Sequence, residues 1–293
     1  MDQAGTLRKL MHNRAPVKQI STKSIRVISV TSGKGGVGKT NIVANMAYHL
    51  QKAGKKVLVL DGDFGLANLN IVMGLEPRGT ITDVISGAKD LSDIAIKGPQ
   101  GLMLLPSSSG IFRMSSLTLA DKSILMDRLE NSDLPFDTLI IDTGAGINSD
   151  VLYLNAAAHD VVVVSTPEPT SIADAYALMK VMSQQYKLKK FKLLVNMVSD
   201  EKEALNVYNS LLAVADQFLN ISIEYLGFVP FDRKVSQSVM GRKLFSEKYP
   251  NSPATLGINE VANTLVDLEE PRPVFTGNLN FFWKTLISNE VSI

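Results

Sequence analysis

The 293-residue sequence contains no cysteine. This absence excludes disulfide bonds, iron–sulfur clusters held by thiolates and zinc sites that need cysteine ligands. The 30 basic and 29 acidic residues leave a formal net charge of only +1. Because that balance creates no chain-wide attraction for nucleic acid, any site for nucleic acid would have to be a local basic cluster.

Long apolar runs are also missing. No stretch of about 18 consecutive apolar residues occurs, so the sequence predicts no membrane-spanning helix. The first residues, "MDQAGTLRKLMHNR", lack the apolar core of a secretory signal. We therefore expect a cytoplasmic protein, and attachment to a membrane surface stays open.

Short, continuous apolar runs alternate with helix-like stretches along most of the chain. Continuous rather than alternating runs are typical of parallel strands covered on both faces. The pattern predicts an α/β fold, a single doubly wound, mostly parallel sheet flanked by helices, over residues 24–270. Appendages are expected at 1–23 and 271–293. The predicted strands are 25–30, 56–61, 102–107, 137–142, 160–166, 191–196 and 224–230, and the predicted helices are 40–53, 150–158, 171–186 and 201–218.

A glycine-rich stretch, "VTSGKGGVGKTN" (30–41), lies between a predicted strand and a predicted helix. It satisfies the P-loop pattern G-x-x-x-x-G-K-T, in which backbone N–H groups and a helix N-terminus surround phosphate oxygens. Lys39 is expected to reach the β- and γ-phosphates, and Thr40 to bind Mg²⁺. The residues expected to contact the nucleotide here are Gly33, Gly35, Gly36, Val37, Gly38, Lys39, Thr40 and Asn41.

The same loop holds a second lysine, Lys34, on its N-terminal side, where it is poorly placed to duplicate Lys39. An extra cation is useful if it serves a phosphate bound elsewhere, as arginine fingers do in trans; the alternative is a solvated loop lysine. The segment "KGGVGKT" resembles the deviant Walker A motif of the MinD/ParA family of dimerising ATPases. That resemblance implies that Lys34 crosses a homodimer interface and acts with Lys39 in catalysis.

Carboxylates follow two of the predicted strands. Asp61 and Asp63 lie at the end of one, where open α/β sheets bind their ligands, although both could simply cap the following turn. The stretch 57–74 resembles the first switch of the MinD/ParA family. The resemblance implies that Asp63 orients or deprotonates the attacking water and that Asp61 helps to hold Mg²⁺.

A second switch is indicated by "FDTLIIDTGAGIN" (136–148). Its Asp142 resembles the Walker B aspartate, which implies binding to Mg²⁺ through water. Gly144 and Gly146 would permit backbone movement, and Gly144 stands where the family usually has proline.

Three later segments resemble the family's dimer interface and base site. "STPEPTSIADAYALMK" (165–180) implies that Glu168 and Asp174 lie at the interface. "LLVNMV" implies that Asn196 contacts adenine, and "FVPFDRKVSQS" matches the loop on the other side of the base. The resemblance implies ATP or ADP with Mg²⁺, and the absence of a guanine-reading N-K-x-D motif after any predicted strand agrees with it. The alternative for each of these residues is a packing or loop role. The base-site residues on that second loop are Pro230, Phe231 and Asp232.

The first residues match the D-Q-A-x-x-L-R activator element of the FlhG (FleN, YlxH) branch of this family. This resemblance implies control of flagellar number and placement through activation of the signal-recognition-type GTPase FlhF. It also implies contacts with flagellar C-ring components or a FleQ-type regulator. The alternatives are a division or partition ATPase and a nucleotide-gated module that sequesters a transcription regulator. The matching residues include Asp2, Gln3, Ala4, Leu7 and Arg8.

The last residues carry an apolar stripe at helical spacing, formed by Leu279, Phe282, Trp283 and Leu286. Such a helix can lie in a bilayer interface, and MinD-like proteins bind membrane lipids in this way. The resemblance implies ATP-dependent attachment to the inner face of the cell membrane, while docking on the protein itself is the alternative. The lysine run 187–192 is interpreted as a solvated helix end rather than a site for nonspecific DNA.

Overall fold

The computed structural model describes residues 25–63, 67–107, 118–130 and 132–268. The predicted activator arm and the C-terminal apolar stripe lie outside these residues. One sheet forms the centre of the described part. Its strands are β1 (Arg26–Ser32), β2 (Val57–Gly62), β3 (Ile96–Lys97), β4 (Met103–Leu105), β5 (Thr138–Ala145), β6 (Asp160–Ser165), β7 (Lys190–Val198) and β8 (Ser222–Pro230).

The strand order in this sheet is β3-β4-β2-β5-β1-β6-β7-β8. The two-residue β3 runs antiparallel to β4, and every other neighbouring pair is parallel. The predicted α/β class with a mostly parallel sheet is therefore confirmed. After β1 the chain forms β2 to β5 on one side of β1, and it then forms β6 to β8 on the other side. The carboxyl end of β1 therefore lies at the switch point where such sheets bind ligands.

Helices cover both faces of the sheet. They are α1 (Lys39–Lys52), α2 (Leu69–Met73), α3 (Ile81–Ile85), α4 (Leu91–Ile94), α5 (Leu119–Glu130), α6 (Ser149–Ala157), α7 (Pro169–Tyr186), α8 (Glu201–Phe218), α9 (Arg233–Met240), α10 (Phe245–Lys248) and α11 (Pro253–Asp267), with a 3₁₀ turn at Pro99–Gly101. The four predicted helices correspond to α1, α6, α7 and α8, whereas the other seven of these helices, including the longer α5 and α11, were not predicted. In the described part of the chain, no helix is long and apolar enough to cross a bilayer.

Each strand sends alternate side chains to opposite faces, and this alternation divides the core. Ile28 and Val30 of β1 pack with α1 and α11 on one face. Val27 of the same strand joins the core on the other face, together with side chains from α3 to α6. A further cluster extends that second face under α7 and α8. The sheet is thus buried on both sides, which explains why its strands are continuous apolar runs.

Candidate functional site

The loop from Gly33 to Gly38 joins the end of β1 to the start of α1. Gly38 is the N-cap of α1 in a left-handed conformation, with φ 84°. Among the described residues, no side chain caps the N-terminus of α1, and its first turn carries no acidic residue. The first N–H groups of the helix and its positive dipole end are therefore not neutralised by the chain itself, which makes this loop an anion-binding site.

Glycine is required at two points of this loop for different reasons. A Cβ atom at Gly38 would lie 2.4 Å from Asn196 Nδ2 in addition to meeting the positive φ. A Cβ atom at Gly33 would lie 2.2 Å from the backbone carbonyl of Asp174 in α7. The loop is therefore packed between the end of β7 and the first half of α7. Both Asn196 and Asp174 were predicted site residues, and both lie beside the loop.

Lys39, at the first position of α1, is buried and points into the sheet. Its Nζ lies 2.5 Å from Asp142 Oδ1 and also donates a hydrogen bond to the Thr143 carbonyl. The Thr143 hydroxyl donates in turn to the carbonyl of Val30 at 3.2 Å. Thr40 also hydrogen-bonds Asp142 through its side chain. The structure thus brings the predicted site residues Lys39, Thr40 and Asp142 together, and it adds Thr143, which was not predicted as a site residue.

Two carboxylates lie side by side at the carboxyl ends of β2 and β5. Asp61 and Asp142 are partners in the strand register, and each residue is 2% exposed. Asp61 accepts the backbone N–H groups of Asp63 at 3.2 Å and Leu69 at 3.1 Å. Burial, followed by the charge of Asp142, raises the pKa of Asp61 to about 7. Burial also raises the pKa of Asp142, although Lys39 opposes that shift.

The oxygen atoms of Asp61, Asp142 and Thr40 suit a Mg²⁺ ion whose remaining ligands are phosphate oxygens. In the described ranges, no cluster of three or more histidine or acidic side chains could hold a metal by itself. Mg²⁺ is commonly bound through one or two carboxylates together with substrate phosphates. Asp61 and Asp142 are both buried beside each other, and a divalent cation would offset the cost of their two charges. Thr40 lies next to Asp142 and supplies a hydroxyl of the kind that P-loops use for Mg²⁺.

Lys34 takes a different direction from Lys39. Its Nζ donates hydrogen bonds to the Glu168 carboxylate and, at 2.9 Å, to the Thr170 hydroxyl. The side chain of Glu168 is 67% exposed and that of Lys34 is 27% exposed, so this ion pair lies at the protein surface. The start of α7 is fixed by Ser171, whose hydroxyl accepts the Thr166 N–H at 3.0 Å. The two lysines of the loop therefore contact different parts of the chain.

Asp63 lies close to the second glycine-containing segment. A Cβ atom at Gly144 would lie 3.9 Å from Asp63 Cγ and 3.4 Å from Val151 Cγ2, distances of ordinary contact. Gly146, by contrast, has φ +92°, and its N–H donates to the Ser32 carbonyl at 2.9 Å. Of these two glycines, only Gly146 adopts a backbone conformation that favours glycine. The segments after β2 and β5 thus meet beside the phosphate-binding loop.

A cleft opens next to the start of α1. Asn196 donates from Nδ2 to the Val37 carbonyl at 2.8 Å and forms part of its wall. Asp232 caps α9 by accepting the Lys234 N–H at Oδ1, while its Oδ2 is buried with no hydrogen-bond partner among the described residues. The predicted base-site residues gather here, together with several that were not predicted. The lining residues are Gly38, Asn41, Ile42, Asn196, Met197, Val229, Pro230, Phe231, Asp232, Val235, Ser236 and Phe245.

Comparison with protein-family models matches residues 23–266 to ParA, described as a NUBPL iron-transfer P-loop NTPase. The chain belongs to the ParA family of P-loop NTPases. The predicted resemblance to this family is therefore confirmed, and so is the prediction that the protein is an ATPase of the family's type.

Two curated relatives align with nearly the whole chain. Antiactivator FleN of Pseudomonas aeruginosa is 36% identical over 269 residues, covering 92% of this chain and 96% of FleN. The flagellum site-determining protein YlxH of Helicobacter pylori is 34% identical over 294 residues, covering 98% of each chain. The predicted resemblance to FleN and YlxH is thus confirmed.

Solved structures show the same fold. A chain of the MinC:MinD cell division protein complex of Aquifex aeolicus has a TM-score of 0.68 and 27% identity, covering 85% of this chain and 98% of that one. The septum site-determining protein MinD from Pyrococcus horikoshii, solved with Mg-ADP, has a TM-score of 0.66 and 22% identity, covering 83% of this chain and 97% of that one.

Proposed function

We propose that this protein is a Mg·ATP-dependent switch that dimerises when ATP binds and separates after hydrolysis. The observation that carries this proposal is the divergence of the two loop lysines. Lys39 is buried against Asp142, whereas Lys34 is held at the surface by Glu168 and Thr170. Lys39 already serves the phosphates bound by the loop of the same chain. Lys34, a surface cation next to that loop, is therefore available to the nucleotide of a second protein copy.

The phosphates of ATP would bind at the uncapped N-terminus of α1. Lys39 would exchange its contacts with Asp142 and Thr143 for the β- and γ-phosphates, leaving Asp142 to contact Mg²⁺ through water. Thr40 and Asp61 complete the oxygen ligands that the chain offers. The metal ion would neutralise charge that develops on the phosphate oxygens during hydrolysis.

Asp63 is the group proposed to position the attacking water. It follows β2 at the edge of the site and lies beside Gly144 of the second switch. Its backbone N–H donates a hydrogen bond to the carboxylate of Asp61. A movement of Asp61, a proposed Mg²⁺ ligand, would therefore displace Asp63 as well. Hydrolysis would then change both switches together and weaken the dimer.

The partner copy would receive Lys34. In the described chain this lysine neutralises Glu168, and a partly exposed pair of this kind contributes at most about 1 kcal/mol. Replacing Glu168 by the γ-phosphate of the partner's nucleotide is therefore feasible for a small cost. Glu168 and Asp174 would then face the interface. Lys34, the lysine of the deviant Walker A motif, would then act in the role that the resemblance implies.

The cleft beside α1 is proposed to bind adenine. Asn196, Pro230, Phe231 and Asp232 supply polar and flat apolar surface of the kind found in base pockets. The unpartnered Asp232 Oδ2 is an acceptor, which suits the exocyclic amino group of adenine and opposes the carbonyl of guanine. Asp232→Asn retains a side chain that can cap α9 but replaces this acceptor by a donor.

This proposal is tested by nucleotide competition. We expect Asp232→Asn to lower the preference for ATP over GTP about tenfold, with α9 still folded, because the variant loses one hydrogen bond to adenine of about 1.4 kcal/mol. An unchanged preference would remove Asp232 from base selection.

The biological role that we propose is control of flagellar number and placement. It is supported by the similarity to FleN and to the flagellum site-determining protein YlxH, the latter aligned over 98% of the chain. The division-ATPase alternative is represented by the septum site-determining protein MinD of Synechocystis, which is 32% identical over an alignment that covers 84% of this chain. The match of residues 2–8 to the activator element of the FlhG branch further supports activation of an FlhF-type GTPase, with C-ring components or a FleQ-type regulator as additional partners.

The flagellar role is tested by measuring GTP hydrolysis by a purified FlhF-type GTPase. A peptide covering residues 1–23 should stimulate it, and Gln3→Ala in the same peptide should abolish the stimulation. If the folded GTPase is not stimulated, the flagellar assignment is wrong. The protein is then assigned only to the wider MinD/ParA group, in which a division ATPase is the main alternative.

Membrane attachment is proposed to depend on Leu279, Phe282, Trp283 and Leu286. A stripe of this kind binds weakly by itself, and an ATP-bound dimer would present two of them. Co-sedimentation with liposomes should therefore require ATP and be lost in Trp283→Glu. Unchanged sedimentation of that variant would contradict attachment through this stripe.

A further inference from the structure

One wall of the cleft is not part of the sheet. It is formed by the four-residue helix α10, whose first residue, Phe245, is buried and lines the cleft. A helix of one turn has little intrinsic stability, so its position must be fixed by tertiary contacts. Those contacts decide how wide the cleft is between Phe245 and the residues of α1 that line it, Asn41 and Ile42.

Asn45 joins these two walls. It lies in the middle of α1 and is fully buried. Its Oδ1 accepts the backbone N–H of Ser246 at 2.9 Å, and its Nδ2 donates to the carbonyl of Asn41 at 2.8 Å. One side-chain amide therefore bonds both to the residue that follows Phe245 and to a residue that lines the cleft from α1.

A second contact strengthens the same junction. His49 lies one turn beyond Asn45 on α1, and its Nε2 is 3.0 Å from the Ser246 hydroxyl. Thr255 of α11 donates to the Tyr249 carbonyl at 2.8 Å, just after the end of α10. Both ends of the short helix are thus held by polar contacts inside the protein, and two of the contacting residues, Asn45 and His49, belong to the helix that follows the phosphate loop.

We infer that Asn45 is a positioning residue for the nucleotide base, fixing Phe245 of α10 at the correct separation from α1. The inference rests on the proposed nucleotide site, because it assigns the cleft to a purine. Its physical basis is pre-organisation: a base that enters a cleft of fixed width does not have to order a mobile wall. Because α1 also presents its N-terminus to the phosphates, one helix aligns both ends of the ligand.

The inference predicts a loss that is confined to the base. Asn45→Leu preserves the approximate volume and removes both hydrogen bonds. We expect it to weaken Mg·ATP binding about tenfold, while the affinity for inorganic tripolyphosphate with Mg²⁺ changes by less than about twofold. Both affinities are measured on the full chain by calorimetry. Asn45→Asp, which keeps the acceptor for Ser246 and loses the donor to Asn41, should show a smaller loss of the same selectivity and serves if the leucine variant is poorly folded.

Asn155→Leu is the matched control. Asn155 is also fully buried within a helix, and it bonds to Thr31 without lining the cleft. It should leave the ratio of the two affinities unchanged. If the Asn45 variants lose both affinities equally, or lose neither, the inference is wrong. If the wild type binds ATP no better than tripolyphosphate, the proposed base cleft itself is wrong.

Discussion

Lys34 and Glu168 are 134 residues apart in sequence and form an ion pair at the edge of the phosphate loop. Lys39, five residues after Lys34, forms its own pair with Asp142 inside the protein. The surface pair is weak because water competes for both charges, whereas the buried pair leaves a costly charge behind if either member is lost. The two pairs should therefore respond very differently to mutation.

Lys39→Ala should destabilise the nucleotide-free protein. The variant leaves Asp142 buried without its cation, which costs about 3 kcal/mol in the free energy of unfolding. Adding Asp142→Asn should recover most of that stability without restoring nucleotide binding. Urea unfolding measures the first effect and calorimetry the second. A fully stable single variant would show that the pair contributes little.

Gly38→Ala and Gly35→Ala form a matched pair within the same loop. Gly38 has φ +84° and would place a Cβ atom 2.4 Å from Asn196 Nδ2, whereas a Cβ atom at Gly35 meets nothing within 4 Å. We expect a loss of about 2 kcal/mol for Gly38→Ala and less than about 0.5 kcal/mol for Gly35→Ala in nucleotide-free unfolding experiments. Equal effects would contradict the loop conformation described above.

His49 should make stability depend on pH. Burial, and then the nearby positive charge of Lys52, lowers its pKa to about 4, although a hydrogen bond with Asn259 opposes the shift. Because the unfolded chain binds the proton near pH 6.5 and the folded chain does not, stability is complete above that pH and falls as the pH drops towards 4.

Between pH 7 and pH 5, His49 should account for a fall of about 2 kcal/mol in the free energy of unfolding. His49→Gln should remove this fall. Denaturant unfolding of both proteins at pH 7 and pH 5 measures the difference. The gap in stability between the two pH values should narrow in the variant; an equal gap would assign the pH dependence to other groups.

Asp63→Ala should bind ATP and then fail to hydrolyse it. The backbone N–H that Asp63 donates to Asp61 survives this change, so the Mg²⁺ ligands should keep their positions. We expect phosphate release to fall at least about a hundredfold, in line with the loss of a group that positions or deprotonates water. Turnover at the wild-type rate would exclude Asp63 from catalysis.

The sequence predicted the sheet well because its strands are buried on both faces and read as continuous apolar runs. It also held a signal for α11 that the predictions did not use. Ser252 caps that helix and Pro253 is its first residue, followed by buried Ala254, Ile258 and Val261 at helical spacing. The two-residue β3, by contrast, is too short to leave a periodic pattern.

The walls of the cleft could not be predicted from spacing. Phe245 and Gly38 line the same cleft although they lie far apart in the sequence, and the bond from Ser246 to Asn45 spans 201 residues. Thr143 contacts Lys39 through its carbonyl, which any residue could provide. Asn196 was identified from the family resemblance alone. Local patterns indicate which groups follow strands, but contacts between distant segments depend on the completed fold.

The most direct test of the proposed switch is the mass of the full chain in solution, measured by light scattering with Mg·ATP and with Mg·ADP. With Asp63→Ala to prevent hydrolysis, ATP should double the mass from 31.9 kDa, and ADP should not. Adding Lys34→Ala should abolish the dimer while calorimetry still detects bound ATP, and Lys97→Ala, on the distant β3, should leave the dimer intact. Dimers that persist without Lys34, or a monomer under every condition, would contradict the account.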